Sequence, residues 1–130
     1  MKIRIFLLLL ITCSAASGYE PEQAMMNQAH ELAECSAYYS MMSGCAENTK
    51  PGDPMSDGLM DIARQAFVFS TGLSNVKVTE ARVELAIKQL NEESMGQCSN
   101  SSILINKYAK VCLEAIQSPE KRAQYWLEKE

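Results

Sequence analysis

Apolar residues recur at helical spacing along almost the whole chain beyond its first eighteen positions. Met25, Ala29, Leu32, Ser36 and Tyr39 follow one another at intervals of four and three, with Cys35 and Met42 beside the stripe. Pro21 is a favoured first helical residue, and Gly44 is a natural stop, so a first helix is expected over 21–44 with Cys45 just past its end. Asp53-Pro54 opens a second helix, an acidic cap followed by a pre-set φ. Its core face is Leu59, Ile62, Ala63, Ala66, Phe67 and Ser70, and Gly72 ends it. Leu73 to Val78 reads as a linker or an early helical turn. Thr79 is expected to cap a third helix whose stripe is Val83, Ala86, Ile87 and Leu90, with Gly96 as its stop. Asn100 or Ser101 caps a fourth, carrying Leu104 or Ile105, Tyr108, Ala109, Cys112 and Ile116. Ser118-Pro119 starts a short fifth with Tyr125, Trp126 and Leu127.

No strand finds a partner in this pattern. Helices packed on helices are the architecture it permits: an all-α, small disulfide-stapled helical bundle of four main helices plus a short C-terminal helix. The chain of 130 residues allows one domain. Hydrophobic residues are 47% and charged residues 22%, a globular balance.

The first eighteen residues follow a different pattern. Lys2 and Arg4 precede an uninterrupted apolar run, Ile5 to Ile11, and small residues follow up to Gly18. The run is far below the roughly 20 residues that a membrane span needs, so Met1 to Gly18 reads as a cleaved secretory signal peptide and 19–130 as the mature domain. Cleavage after Ala16 is the close alternative. Leu10-Ile11-Thr12-Cys13 also resembles a bacterial lipoprotein signal, in which Cys13 would carry the lipid; Thr12 departs from that pattern. The expected location is therefore periplasmic or secreted, with a membrane anchor only through a lipidated Cys13.

Export places the remaining cysteines, Cys35, Cys45, Cys98 and Cys112, where disulfides persist. No C-x-x-C is present, so a thioredoxin-like redox motif or a zinc ribbon is not written here. Cys35 and Cys45, ten residues apart, stand about 15 Å apart on a helix. A disulfide needs Cα atoms within about 7 Å, which excludes that bond while the helix is intact. Nested pairing, Cys35–Cys112 and Cys45–Cys98, requires only that the first and fourth helices run antiparallel. The spacing Cys35-x₉-Cys45 resembles one arm of mitochondrial twin CX₉C hairpins, but thirteen residues separate Cys98 from Cys112 and no function follows from it.

Little material for catalysis is visible. The net charge of −4, which becomes −6 without Lys2 and Arg4, lacks the footprint of a nucleic-acid binder. Lys107, Lys110, Lys121 and Arg122 are mixed with Glu114, Glu120 and Glu128 and read as a solvated face. The sole histidine, His30, opens His30-Glu31-Leu32-Ala33-Glu34, a run that resembles the zinc-protease H-E-x-x-H with Glu34 in place of the second histidine. Half of the ligand pair is absent, so no metal and no cofactor are expected. No nucleophile elbow or phosphate loop occurs, and the chain is not expected to be an enzyme. Asn100-Ser101-Ser102 is a glycosylation acceptor in a eukaryotic source and otherwise a helix cap.

Methionine is overused: Met25, Met26, Met41, Met42, Met55, Met60 and Met95 follow the leader. Methionine fills irregular cores and also coats adaptable binding surfaces. Each Met-Met doublet sets one member off the core stripe. Met25, Met26, Met41, Met42 and Tyr38 are therefore the candidate binding residues. The sequence reading is a small exported protein-binding or structural module whose partner is another protein; a carrier of a small hydrophobic ligand or lipid is the alternative.

Overall fold

The computed structural model describes residues 18–129. The expected leader, up to its last residue, and the expected lipidation position Cys13 lie outside the described residues. Within them the chain forms α1 (Pro21–Thr49), α2 (Pro54–Leu73), α3 (Val76–Glu93), a 3₁₀ turn at Cys98–Asn100, α4 (Ser101–Gln117) and α5 (Pro119–Glu128), and no strand. The protein is an all-α bundle whose helices are stapled by two disulfides, Cys35–Cys112 and Cys45–Cys98. These are the nested bonds that the spacing predicts.

Local chemistry sets most of the helix starts. Proline occupies the first turn of α1, α2 and α5, where its missing N–H removes nothing. The Asp53 carboxylate accepts from the Met55 amide at 3.0 Å, capping α2. Asn75 does the same for α3, accepting from the Val78 amide at 3.0 Å. Val76 and Val78 thus belong to the first turn of α3, and Thr79 is not its cap. Thr79 is fully buried, and its hydroxyl lies 3.1 Å from that of Ser70 and 3.2 Å from that of Ser74. Asn100 stands at the start of α4 without capping it through its side chain, which donates instead to the Ser94 carbonyl at 2.9 Å.

Gly44 does not stop α1. A glycine inside a helix costs about 1 kcal/mol relative to alanine, an amount that anchors on either side offset here. Ser43 is bonded to Ser56 just before it, and Cys45 is bonded to Cys98 just after it. The helix ends at Thr49, before Lys50-Pro51-Gly52. Pro51 cannot continue a helix, and Gly52 takes a left-handed φ of 73° with its amide donating to the Glu47 carboxylate at 3.1 Å.

α1 is the mast of the bundle, and every other helix packs against it. Ser43 meets Ser56 and Ala29 meets Ser70, so α2 runs antiparallel to α1. The disulfides set α4 antiparallel as well. Gln28 bonds the Pro119 carbonyl and Glu31 bonds Arg122, so α5 runs parallel. The beginning of α3 lies near Ala29 through Thr79 and Ser70, while its end shares a cavity with Met41 and Asn48; α3 is parallel too.

The α1–α2 contact is built from small residues seven apart. Ala29, Ser36 and Ser43 on α1 share a register with Ser70, Ala63 and Ser56 on α2, and all six are buried. A seven-residue repeat keeps one seam facing its partner, and small side chains let the two backbones approach closely. The serine hydroxyls turn that approach into hydrogen bonds: Ser43 to the Ser56 carbonyl at 2.8 Å, Ser56 to the Ser43 carbonyl at 3.1 Å, Ser70 to the Ala29 carbonyl at 2.7 Å. With small residues in the seam, the large apolar residues of α2 stand on its flanks. That displacement shapes the candidate site.

Candidate functional site

On one flank of α2, Leu59 and Met55 face Ile105 of α4 across a floor of Tyr38 and Met42. The space between them is about 480 Å³, and the Cys45–Cys98 bond forms one wall. Further along the same side, Leu32, Phe69, Leu73 and Pro119 enclose about 420 Å³, with Gln28 as the polar member. Met55, Val68 and Ile105 edge these two hollows and are 58%, 64% and 43% exposed. On the opposite flank Met60, Phe67 and Val83 line about 460 Å³ beside Ser36 and Ser40. Large side chains are thus left half-exposed on both sides of one helix, an apolar surface available to a partner.

Of the five residues singled out from the sequence, Tyr38 and Met42 share the floor of the α2–α4 groove and the other three lie elsewhere. Met25 is exposed at the beginning of α1, and Met26 is half-buried beside Tyr19 and Gln23. Met42 lies in the α2–α4 groove, whereas Met41 faces a separate hollow with Gly44, Asn91, Ser94 and Leu104. Tyr38 is 4% exposed. It lies on the face of α1 that meets α4, its ring 5.0 Å from that of Tyr39 and 5.8 Å from that of Tyr108. Burial raises the hydroxyl pKa of all three tyrosines, so they act as apolar rings with a neutral tip.

The charged groups serve packing. Arg122 is not part of a solvated face. It is 8% exposed, and its guanidinium grips the Glu31 carboxylate through both Nε, at 2.9 Å, and Nη2. That hydrogen bonding raises the Arg122 pKa further against the opposing effect of burial. The Tyr125 ring lies 4.0 Å beneath the guanidinium. At the α3–α4 contact, Glu93 accepts from Lys107 at 2.6 Å, Gln89 at 2.9 Å and Tyr108 at 3.2 Å. Burial alone would raise the Glu93 pKa, but these donors outweigh it and hold the carboxyl below its ordinary value.

His30 is exposed, with Nε2 3.6 Å from Glu34. Burial raises the Glu34 pKa, opposed by the nearby His30. Among the described residues no group of three His, Cys, Asp or Glu side chains converges as a metal site would require. Nor is any helix of the described residues long and apolar enough to cross a membrane.

Two features of the site escaped the sequence reading. Ala63 and Ser70 were placed on a core face, but the seven-residue spacing of small residues on both helices is the signal that marks a close seam, and with it the displaced flanks. The Glu31–Arg122 pair joins positions 91 apart, and nothing local announces it. No family model, curated protein or solved structure matches the chain.

Proposed function

We propose that this is an exported, disulfide-braced helical protein that works by holding an apolar segment of another protein in the groove between α2 and α4. The observation that carries this reading is the displacement of Leu59 from the α1–α2 seam into the space facing Ile105 of α4, with Phe69 and Leu73 continuing the apolar surface along α2 to Pro119 at the start of α5. A groove of this kind accepts the apolar face of a partner helix, with anchors one turn apart. Met42 and Met55 suit it to partners of varied shape, because thioether side chains repack easily. No catalytic constellation is assigned. Export is supported by the leader pattern of residues 1–18 and by two disulfides in so short a chain.

A photo-crosslinking residue placed at Leu59, compared with one at the outward Leu85 of α3, tests the reading. In native periplasm or secretion medium, Leu59 should yield one protein adduct, Leu85 none, and Met55→Asp should remove the adduct. Equal labelling from both positions would overturn the groove as the binding surface. A stoichiometric lipid adduct at Leu59 would replace the partner protein by a hydrophobic ligand, for which hollows of about 420 and 480 Å³ are large enough.

A further inference from the structure

The two disulfides sit in opposite surroundings. Cys35 and Cys112 are each 1% exposed, within the core cluster of Leu32, Tyr38 and Tyr108. Cys98 is exposed and Cys45 half-buried. Their bond stands between two hollows, of about 300 and 480 Å³, and both cysteines line each one. We propose that Cys45–Cys98 is a thiol-exchange site, opened by a small thiol or a protein dithiol while Cys35–Cys112 stays closed, and that its opening loosens the α1–α4 end of the groove. The second half rests on the groove reading; the first does not.

Thiol–disulfide exchange requires a thiolate to reach one sulfur along the S–S axis, so access decides which bond reacts. The exposed Cys98 is the sulfur within reach. The smaller hollow beside it is walled by Asn48, Asn91, Ser94, Gln97 and Ser101, polar groups without charge that admit a thiolate without repelling it. In the first step the incoming sulfur bonds to Cys98 Sγ, the Cys45–Cys98 bond breaks, and the electron pair leaves on Cys45 Sγ, which takes a proton from water. In the second step another thiol, or the second thiol of the dithiol, attacks the incoming sulfur and releases Cys98 as thiolate. Two thiols become one disulfide, and the protein holds two free cysteines. Cys98 lies just before α4, whose N-terminal dipole favours a thiolate there.

The bond ties the last turn of α1 to a connection whose own hydrogen bonds are local, among them the Asn100 side chain to the Ser94 carbonyl at 2.9 Å and the Gly96 amide to the Asn91 carbonyl at 2.7 Å. Beyond Cys45, α1 has a half-buried Ala46 and then Glu47, Asn48 and Thr49, all exposed. On the other side, the 94–100 connection contains Met95 at a φ of 55°, a left-handed conformation that strains a side-chain-bearing residue. The rest of the fold keeps its own fasteners: the buried Cys35–Cys112 bond, the serine seam and the Glu31–Arg122 pair. Opening the bond frees one corner and leaves the bundle standing.

Native protein exposed to graded dithiothreitol, quenched by alkylation and mapped by peptide mass, tests the exchange site. Cys45 and Cys98 should be labelled at least about tenfold faster than Cys35 and Cys112. Simultaneous labelling of all four, earlier labelling of Cys35 and Cys112, or no labelling before the protein unfolds would each overturn the proposal. Hydrogen exchange on the selectively reduced protein tests the loosening. Amides of 45–49 and 94–105 should lose protection about tenfold while those of the seam keep theirs; unchanged protection at 94–105 would overturn that half. The C45S/C98S double variant should reproduce the pattern, and where it fails to fold the selectively reduced wild type carries the measurement. Neither readout needs a partner, so an empty groove and an inert disulfide are told apart.

Discussion

α2 and α5 dock on the same helix by opposite means. Along α2 the contact is uncharged: six small residues in register, with serine hydroxyls bonded to carbonyls across the seam. α5 is held at its start by the Gln28 amide on the Pro119 carbonyl, and one turn later by a buried ion pair. The first interface spreads its stabilisation over about 20 Å of helix; the second concentrates it at one guanidinium. A spread contact is sensitive to added volume, because close backbones leave no room for it. A concentrated contact is sensitive to deletion, because a buried charge without its partner is far worse than no charge at all.

The sharpest break of this contrast is Arg122→Met. It leaves the Glu31 carboxylate buried and unpaired and should destabilise by about 3–5 kcal/mol in urea unfolding. Trp126, the sole tryptophan, sits on α5 with its ring 6.3 Å from that of Tyr19, so its fluorescence should report α5 leaving before the rest unfolds. The double variant Glu31→Leu with Arg122→Met should recover most of the loss; no recovery would mean that the pair does not hold α5. Ala63→Leu tests the other side. Ala63 is 2% exposed in the seam, and overpacking it should cost about 1–3 kcal/mol with α5 still docked. Ser70→Ala removes the hydroxyl that reaches the Ala29 carbonyl and Thr79, an effect of about 1 kcal/mol by the same unfolding measurement.

The smallest effect belongs to pH and places the α3–α4 contact between the two extremes. Glu93 has a folded pKa below its ordinary value of 4.5. Its stabilisation is complete above that value and lost as pH falls through the lowered folded pKa. Glu34 has the opposite sign: its folded pKa lies above 4.5, so its contribution is complete below that value and lost as pH rises through the folded pKa. Urea midpoints between pH 3 and about 7 should fall at neutrality for Glu93→Gln and rise for Glu34→Gln, each variant flattening its own part of the profile. The same sign for both would refute these electrostatic roles.

Five helices, their proline starts and the antiparallel α1–α4 pairing were legible because each rests on local chemistry or on one length comparison. Asp53-Pro54 and Ser118-Pro119 announce helices wherever they occur. Gly44 misled because helix propensity is a weak bias, overridden by anchors at Ser43 and Cys45 that become visible only in three dimensions. Thr79 misled because a threonine beside an apolar run looks like a cap, whereas here it completes a hydroxyl cluster with Ser70 and Ser74. Tyr38 forms part of the groove floor beside Met42 while its ring stacks on that of Tyr108 within the core. The groove was invisible from methionine counting. It follows from where the small residues are, and methionines merely coat part of it.

The length and continuity of α1 also bear on how the bonds form. A chain emerging N-terminus first presents Cys35 and Cys45 long before Cys98 exists. The α1–α2 hairpin joins two helices adjacent in sequence, and helical pairs of this kind form in microseconds to milliseconds, whereas disulfides take seconds or longer. Once the hairpin has formed, the two early thiols ride on one rigid rod about 15 Å apart and cannot find each other. The helix therefore proofreads oxidation: it forbids the bond between neighbours in time and keeps both thiols waiting for partners that arrive last.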